Sequence, residues 1–395
     1  MVTASHRGAW RASSSTPPGI QRVTTWMRGR ATPASALILL SIVLLIKVGG
    51  DLRLDRLLGG SNAAYTWRGK LNGMLPATLG GKDDSRAYAA AMATCSATLP
   101  VPQPLLVMDT PTDPPISVAV HPAAADIYIS KPILDGDVAH MHMLMDLQNL
   151  KTLLESAVPG SAEAGGQGSL VVDVGANIGV VSLYFARLGY QLVSFEPVPH
   201  NFQRLAFSAC LARELYDSSL TLFNAIVGNS PGQMFPMASH VKNMGHSKVV
   251  PGGTGLQQGM SQTSTLVNST SLDVALGPMC ADGRRPLLMK VDVEGFEGFV
   301  LDGARHVLQD CPPLFIFIEL NKALIDGHED KAPMRMVDIL NLLHQSGYDL
   351  LSVALREKWD TAFWSQGSDG IRSFLSRIDP VLDWGDYLFR HKSVE

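Results

Sequence analysis

Basic excess is missing from this 395-residue chain: 32 Lys and Arg stand against 36 Asp and Glu, a formal net charge of -4. A nucleic-acid partner needs a basic face to displace counterions, so none is expected. Cysteine is scarce as well. Cys95, Cys210, Cys280 and Cys311 lie far apart with no CxxC pair, which removes a zinc site of ordinary spacing. A Cys280–Cys311 disulfide is open to the chain in an oxidising compartment, with buried free thiols the favoured state. Also absent is the Gly-Lys-Ser/Thr ending of a phosphate-binding loop. Nothing in the sequence bears on oligomeric state.

Acids are absent from residues 1–33, where Arg7, Arg11, Arg22, Arg28 and Arg30 stand among Ser, Thr and Pro. An apolar run from Ala36 to Ile46 follows, closed by Lys47 and Gly49-Gly50. A bilayer-spanning helix takes roughly 20 residues, a length that residues 31–50 reach when Lys47 snorkels. A transmembrane signal anchor at 34–50 is expected behind the basic tail at 1–33. Charged Asp51 and Arg53 follow it, where a cleaved leader would show small residues. Positive charge before the span keeps the tail cytoplasmic and the rest luminal, in the ER or Golgi. A cleaved signal peptide and a plastid or other organellar transit peptide are the alternatives. Residues 51–135, broken by Gly59-Gly60, Gly80-Gly81 and the prolines from Pro100 to Pro122, read as a stem or lead-in region without site chemistry. Within it a helix is expected around Ser85 to Cys95, and a strand pair at Ile116–Val120 and Ile127–Ile129.

The remaining domain, residues 136–395 with a core at 170–350, alternates strands and helices. A helix is expected over Val138–Ser156, where apolar residues recur at helical spacing. His140 and His142 stand two apart there and point to different sides, so they share no metal. Strands are expected near Ser169–Val174, Gln191–Phe195, Leu220–Ala225, Leu287–Val291, Leu314–Glu319 and Leu350–Val353. Helices are expected near Val180–Leu188, His200–Glu214, Gly298–Leu308 and Lys331–Ser346. That alternation argues for a doubly wound, mostly parallel α/β sheet covered on both faces. Asp386 to Arg390 is expected to return as an antiparallel edge. Residues 230–270, rich in Gly, Ser, Gln and Met, break the rhythm and read as a lid or a disordered insert.

The chemistry lies between Val171 and Phe202. Asp173-Val174-Gly175-Ala176-Asn177-Ile178-Gly179 sets two glycines four apart between an apolar strand and a helix. A dinucleotide fingerprint wants a glycine where Asn177 stands, so that backbone can approach a pyrophosphate. Asp173 at the strand tip would repel a phosphate; it suits a cationic ligand, an aminoacyl ammonium or a sulfonium. Glu196, ending the second strand, can accept both hydroxyls of a ribose. Asn224 ends the third strand, where it can meet an adenine edge. Ligands of open α/β sheets bind outside the carboxyl ends of the strands, so these positions face one crevice. Together they indicate S-adenosylmethionine.

A companion motif, Leu287 to Glu297 (LLMKVDVEGFE), is an apolar strand ending in alternating charges. Buried charge is costly, so Lys290, Asp292, Glu294 and Glu297 are expected in a cleft. Lys290, Asp292 and Glu294 alternate by two and would share a face if the strand ran on. Glu319, at the next strand tip, can join them. These oxygens suit a metal, but none is assigned.

In order and spacing, VVDVGANIGVVSLYFA, VSFEPVPHNFQRL, FNAIVGN, LLMKVDVEGFEGFVLDGA and FIFIEL resemble the FkbM family of S-adenosylmethionine-dependent methyltransferases. The resemblance runs from Leu170 to Tyr348, with DYLFR near the C-terminus similar to the closing strand. Many methyltransferases share the first motif; the K-x-D-x-E-G-x-E string is the specific one. The resemblance implies the class I methyltransferase (Rossmann-like) fold with an antiparallel C-terminal strand. It also implies transfer of a methyl group to a hydroxyl of a glycan or other sugar-containing acceptor. By the same resemblance Asp173, Gly175, Asn177 and Gly179 cradle the aminoacyl part of the cofactor, with Glu196 on the ribose. Asp292 or Glu294 is expected as general base, oriented by Lys290. An organellar methyltransferase acting on a lipid or secondary metabolite is the alternative, as is an inactive methyltransferase-like binding protein. Asn268-Ser269-Thr270 is a glycosylation acceptor pattern, compatible with a lumen.

Overall fold

The computed structural model describes residues 64–67, 93–136, 142–157, 168–212, 220–240, 243–249, 260–327, 332–354, 361–378 and 385–394, all within one compact unit, Ser61–Glu395. The expected tail and anchor, residues 1–50, lie outside the described residues, as does the expected helix up to residue 92. Among the described residues no helix is long and apolar enough to cross a membrane.

In chain order the elements begin with β1 (Ala64–Trp67), β2 (Leu106–Asp109), β3 (Ser117–Val120), α1 (Ser130–Asp135) and α2 (His142–Ala157). A βα repeat follows: β4 (Leu170–Val174), α3 (Val180–Arg187), β5 (Gln191–Phe195), α4 (Pro199–Leu211) and β6 (Leu220–Phe223). Then come β7 (Ile226–Val227), β8 (Met234–His240), β9 (Asn243–Val249), β10 (Met260–Thr270) and α5 (Leu272–Ala281). The second half holds β11 (Pro286–Val291), α6 (Glu297–Asp302), α7 (Arg305–Asp310), β12 (Phe315–Leu320), α8 (Lys322–Asp326) and α9 (Met336–Gln345). It closes with β13 (Tyr348–Ala354), α10 (Gly367–Leu375) and β14 (Gly385–His391).

The main sheet has the order β1-β6-β5-β4-β11-β12-β14-β13. Strands β6, β5, β4, β11 and β12 run parallel, β1 is antiparallel to β6, and β14 is antiparallel to both of its neighbours. The chain winds outward from β4 to β6, then lays β11 on the other side of β4. The crevice between the tips of β4 and β11 is therefore the switch point at which such sheets bind ligands. Parallel strands covered on both faces are apolar throughout, and β4 and β11 are buried at every position. Val171, Leu192, Leu222, Leu288 and Phe315 pack with α2, α3, α4 and β3. Val172, Val174, Phe195, Met289, Val291 and Ile318 pack instead with α6, α7, α9 and α10.

Several expectations change. Residues 230–240, 243–249 and 260–270 are not a disordered insert: β8, β9 and β10 join β7 in a second sheet of order β7-β10-β8-β9. Met237, Val249 and Val267 anchor it on Phe296 and Phe299, which rewards extended backbone despite the polar composition. Strand β3 pairs with β2, not with Ile127–Ile129. The Asp126 carboxylate accepts from the N–H groups of Tyr128, Ile129 and Ser130, which curls that segment into a turn. Strand β14 is interior, and Tyr387 and Phe389 are fully buried there. The helix expected at Gly298–Leu308 is two short ones, α6 and α7, and α8 lies between β12 and α9. All four cysteines are paired, Cys95 with Cys210 and Cys280 with Cys311, so the free-thiol expectation fails.

Candidate functional site

The turn after β4 is made from residues that accept left-handed backbone: Gly175 (φ 86°), Asn177 (φ 52°) and Gly179 (φ 95°). A Cβ on Gly175 would lie 1.8 Å from the Asp292 carbonyl oxygen, so the approach of the β4 and β11 tips requires glycine. Asparagine tolerates this backbone region; the Asn177 N–H donates to Glu196 Oε2 at 2.8 Å, and its own Oδ1 accepts from the Ile178 N–H at 2.8 Å. The Val198 N–H donates to Glu196 Oε1, also at 2.8 Å. Two backbone donors and the Asn201 side chain thus fix the carboxylate, which keeps one acceptor site free. Burial pushes the Glu196 carboxyl up to about 7, opposed by the Val198 and Asn177 N–H groups, by Lys290 and by Asn201. Asn224 Nδ2 donates to the carbonyls of Glu196 and Pro197 at 2.8 and 3.1 Å. Both its N–H groups are committed to bracing that turn, so an adenine edge could meet only its oxygen.

Lys290 stands in register with Asp173 across the β11–β4 ladder. Its Nζ lies 3.5 Å from Asp173 Oδ1 and 3.3 Å from Asp292 Oδ2, and it donates to the Gly175 carbonyl at 2.7 Å. Burial alone would lower the ammonium's pKa, but Asp292 and Asp173 outweigh it and hold the group above its ordinary range. Asp173 is fully enclosed, with Oδ2 accepting from Ser182 Oγ. It meets a cation of the chain itself, Lys290, where the sequence predicts a cationic ligand. The carboxylate that reaches the crevice is Asp292, whose side chain is 37 % exposed.

Strand β11 stops at Val291. Glu294 (φ 57°) and Gly295 (φ 97°) then turn the chain, so Glu294 leaves the row of Lys290 and Asp292 instead of extending it. Glu297 closes this turn: its Oε1 accepts from the N–H groups of Val293 and Gly295 at 3.2 and 3.1 Å. It is a buried brace. Glu319 lies beside Asp292, because Val291 pairs with Ile318, and Glu319 itself pairs with Asp386 of β14. Burial first, then the carboxylates of Asp292, Glu294, Asp386 and Glu297, push Glu319 well above the usual carboxylate range. Among the described residues no group of three or more His, Cys, Asp or Glu is arranged to hold a metal ion. A side chain missed in the sequence is Asn201, buried in the first turn of α4 and hydrogen-bonded to Glu196. The available signal was a polar residue on the apolar side of that helix.

A doubly wound sheet with one antiparallel strand set beside its fifth parallel strand, and an acidic switch point without a phosphate loop, defines the class I methyltransferase architecture. The family model described as the methyltransferase FkbM domain matches residues 173–350. The chain is a methyltransferase. Solved structures resemble it loosely. Magnesium protoporphyrin IX methyltransferase from Synechocystis PCC 6803, with bound S-adenosylmethionine, is 9 % identical over 65 % of this chain and 85 % of that one, with a TM-score of 0.31. The bifunctional kinase-methyltransferase WbdD is 15 % identical over 76 % of this chain and 46 % of that one, with a TM-score of 0.32. An S-adenosylmethionine-dependent methyltransferase from Leishmania major is 13 % identical over 79 % and 87 %, with a TM-score of 0.29. No curated protein matches the chain.

Proposed function

We propose that the chain is an S-adenosylmethionine-dependent O-methyltransferase that modifies a hydroxyl of a glycan or other sugar-containing acceptor. The observation that carries this is the backbone-braced Glu196 at the tip of β5 and the half-exposed Asp292 at the tip of β11, on either side of β4. The donor set fits the cofactor. Glu196 has one acceptor site left for a ribose hydroxyl, and the turn at Gly175, Asn177 and Gly179 lies beside it. Two carboxylates, Asp173 and Asp292, against one ammonium, Lys290, leave a surplus of negative charge that favours a cation. When bound, the cofactor supplies a methyl group activated by its sulfonium.

The chain's own groups do the rest. Asp292 would take the acceptor's hydroxyl proton as the methyl passes to the hydroxyl oxygen from the sulfonium sulfur, which keeps the electron pair of the broken carbon–sulfur bond and leaves as a neutral thioether. Lys290, 3.3 Å from Asp292 Oδ2, fixes the direction of that carboxylate. Holding the hydroxyl in line supplies much of the rate. An anchor at 34–50 with a luminal domain in the ER or Golgi belongs to the same proposal. The two disulfides support it, since such bonds persist in oxidising compartments. Asn268 does not, because it is half-buried in β10 opposite Met234 and a glycosylation acceptor belongs on a surface loop.

Calorimetric titration with S-adenosylmethionine, followed by labelled methyl transfer to glycans, lipids and small hydroxy compounds, tests this. Binding with transfer to a sugar hydroxyl is expected. No cofactor binding by the folded protein sinks the enzyme reading, and transfer to lipid alone sinks the acceptor assignment.

A further inference from the structure

Helix α4 turns Asn201, Arg204 and Ser208, three and four residues apart, toward the chain N-terminal to the family domain. The Ala119 N–H donates to Ser208 Oγ at 2.8 Å, and Arg204 Nε donates to the Val120 carbonyl at 3.2 Å. The Cys95–Cys210 disulfide closes the same seam. One residue beyond β3, His121 Nε2 lies 2.7 Å from Asn201 Oδ1, and the two residues are only 3 % and 1 % exposed. Asn201 in turn hydrogen-bonds to the Glu196 carboxylate. The polarity of this chain is fixed, because a carboxylate only accepts. Asn201 must aim Nδ2 at Glu196, which leaves Oδ1 for His121, and His121 must then donate from Nε2.

We propose that His121 is a positioning residue: through Asn201 it holds the Glu196 carboxylate in the direction that receives the cofactor. The inference rests on the cofactor site described above. It gives residues 93–136 a part in that site, where the sequence predicts a stem without site chemistry. Neutral histidine suits the task. Burial, and after it the Arg204 guanidinium, hold His121 down at about 4, with His200 acting the same way and Asn201 and Asp126 opposing. At physiological pH the ring is a donor fixed by its surroundings and adds no charge. Glu196 is faced by the Val198 and Asn177 N–H groups, by Lys290 from β11 and by Asn201. Only the last of these depends on the lead-in.

The test compares His121→Ala, His121→Gln and the wild type as full-length, disulfide-intact protein. Cofactor affinity is measured by calorimetry between pH 5.5 and 8.5, with turnover at saturating cofactor and a carboxyl-carbon NMR titration of Glu196 in the free protein. His121→Ala is expected to weaken cofactor binding roughly tenfold, the scale of one hydrogen bond to a charged group, with turnover within about twofold. Losing a donor to the charged form raises the Glu196 pKa, so the acid limb of binding and the NMR titration both move to higher pH. The glutamine amide can donate in place of Nε2, so His121→Gln restores both. Asn201→Ala is expected to match His121→Ala and carries the test should that variant not fold. Unchanged affinity and unchanged pH dependence overturn the inference, and so does a folded His121→Gln as impaired as the alanine. If the wild type binds no cofactor the functional reading falls, while the Glu196 titration still decides the His121 link.

Discussion

Glu297→Gln isolates the charge buried beneath the β11–α6 turn. Both N–H bonds of this side chain, from Val293 and Gly295, end on Oε1, so a glutamine oxygen in the same place keeps them. Oε2 is buried without a hydrogen-bond partner among the described residues, and its replacement gives up no bond. Burial pushes the wild-type carboxyl from 4.5 to about 7, with Asp292 adding to the rise and backbone N–H groups opposing it. A rise of about 2.5 at about 1.36 kcal/mol per pKa unit comes to on the order of 3 kcal/mol. Between about 4.5 and about 7 the folded carboxyl binds a proton that the unfolded chain has released. For this group, then, stability is present below the unfolded pKa and lost as pH rises through the folded one. Glutamine removes the trend but buries an unpaired amide, at about 1–3 kcal/mol independent of pH. The observable is therefore a slope. Stability of Glu297→Gln relative to wild type should climb by on the order of 3 kcal/mol from pH 5 to pH 8. Glu196 has the same trend, but it is present in both proteins and cancels; Glu319, raised in part by the Glu297 carboxylate, is relieved in the variant and adds to the climb. Urea unfolding at fixed pH, disulfides intact, measures the difference. A flat difference, or one that grows toward acid, would refute the assignment of a raised pKa to Glu297.

Gly175→Ala places a Cβ against the Asp292 carbonyl at a left-handed residue, so cofactor binding should be lost and the melting temperature lowered. Gly179→Ala, also left-handed, meets the side chains of Leu205 and Leu183 and no backbone, and should be milder; wild-type affinity in Gly175→Ala would show that the strand tips do not meet as described. Asp292→Asn should cut turnover by roughly a hundredfold or more with cofactor affinity within about threefold, whereas Glu196→Ala should weaken cofactor binding. Loss of binding in Asp292→Asn would remove the general-base role. Cys95→Ser with Cys210→Ser opens a crosslink between positions 115 apart and should cost about 2–4 kcal/mol in calorimetric unfolding, a role that an unchanged midpoint would exclude.

Local pattern made much of this fold readable. Strands β4, β5 and β11 are largely apolar because they are covered on both faces, and β5 and β11 end where Glu196 and Asp292 mark the open edge of the sheet. Glu196 follows from that reasoning alone. Strands β8 to β10 do not, because Ser, Thr and Met state no preference until Met237 and Val267 find Phe296 and Phe299, far along the chain. Ile127–Ile129 shows the opposite failure. Its β-branched residues favour a strand, yet one carboxylate, Asp126, collects three N–H groups and wins the segment for a turn. Cysteine pairing is non-local in the same sense, since spacing never says which helices will lie side by side.

Register is also what turns a list of charged residues into a site. Asp173, Lys290 and Asp292 look in sequence like three separate strand-tip charges, each available to a ligand. Once β11 lies beside β4, Lys290 is shared between Asp173 at 3.5 Å and Asp292 at 3.3 Å, and exposure sets the two acids apart. A buried ammonium with one buried carboxylate is compensated where neither meets water. The remaining carboxylate, Asp292, is the one 37 % exposed at the crevice. The surplus negative charge of the triad is therefore displayed at the switch point, where a cation-bearing methyl donor and a hydroxyl proton would both be drawn to it.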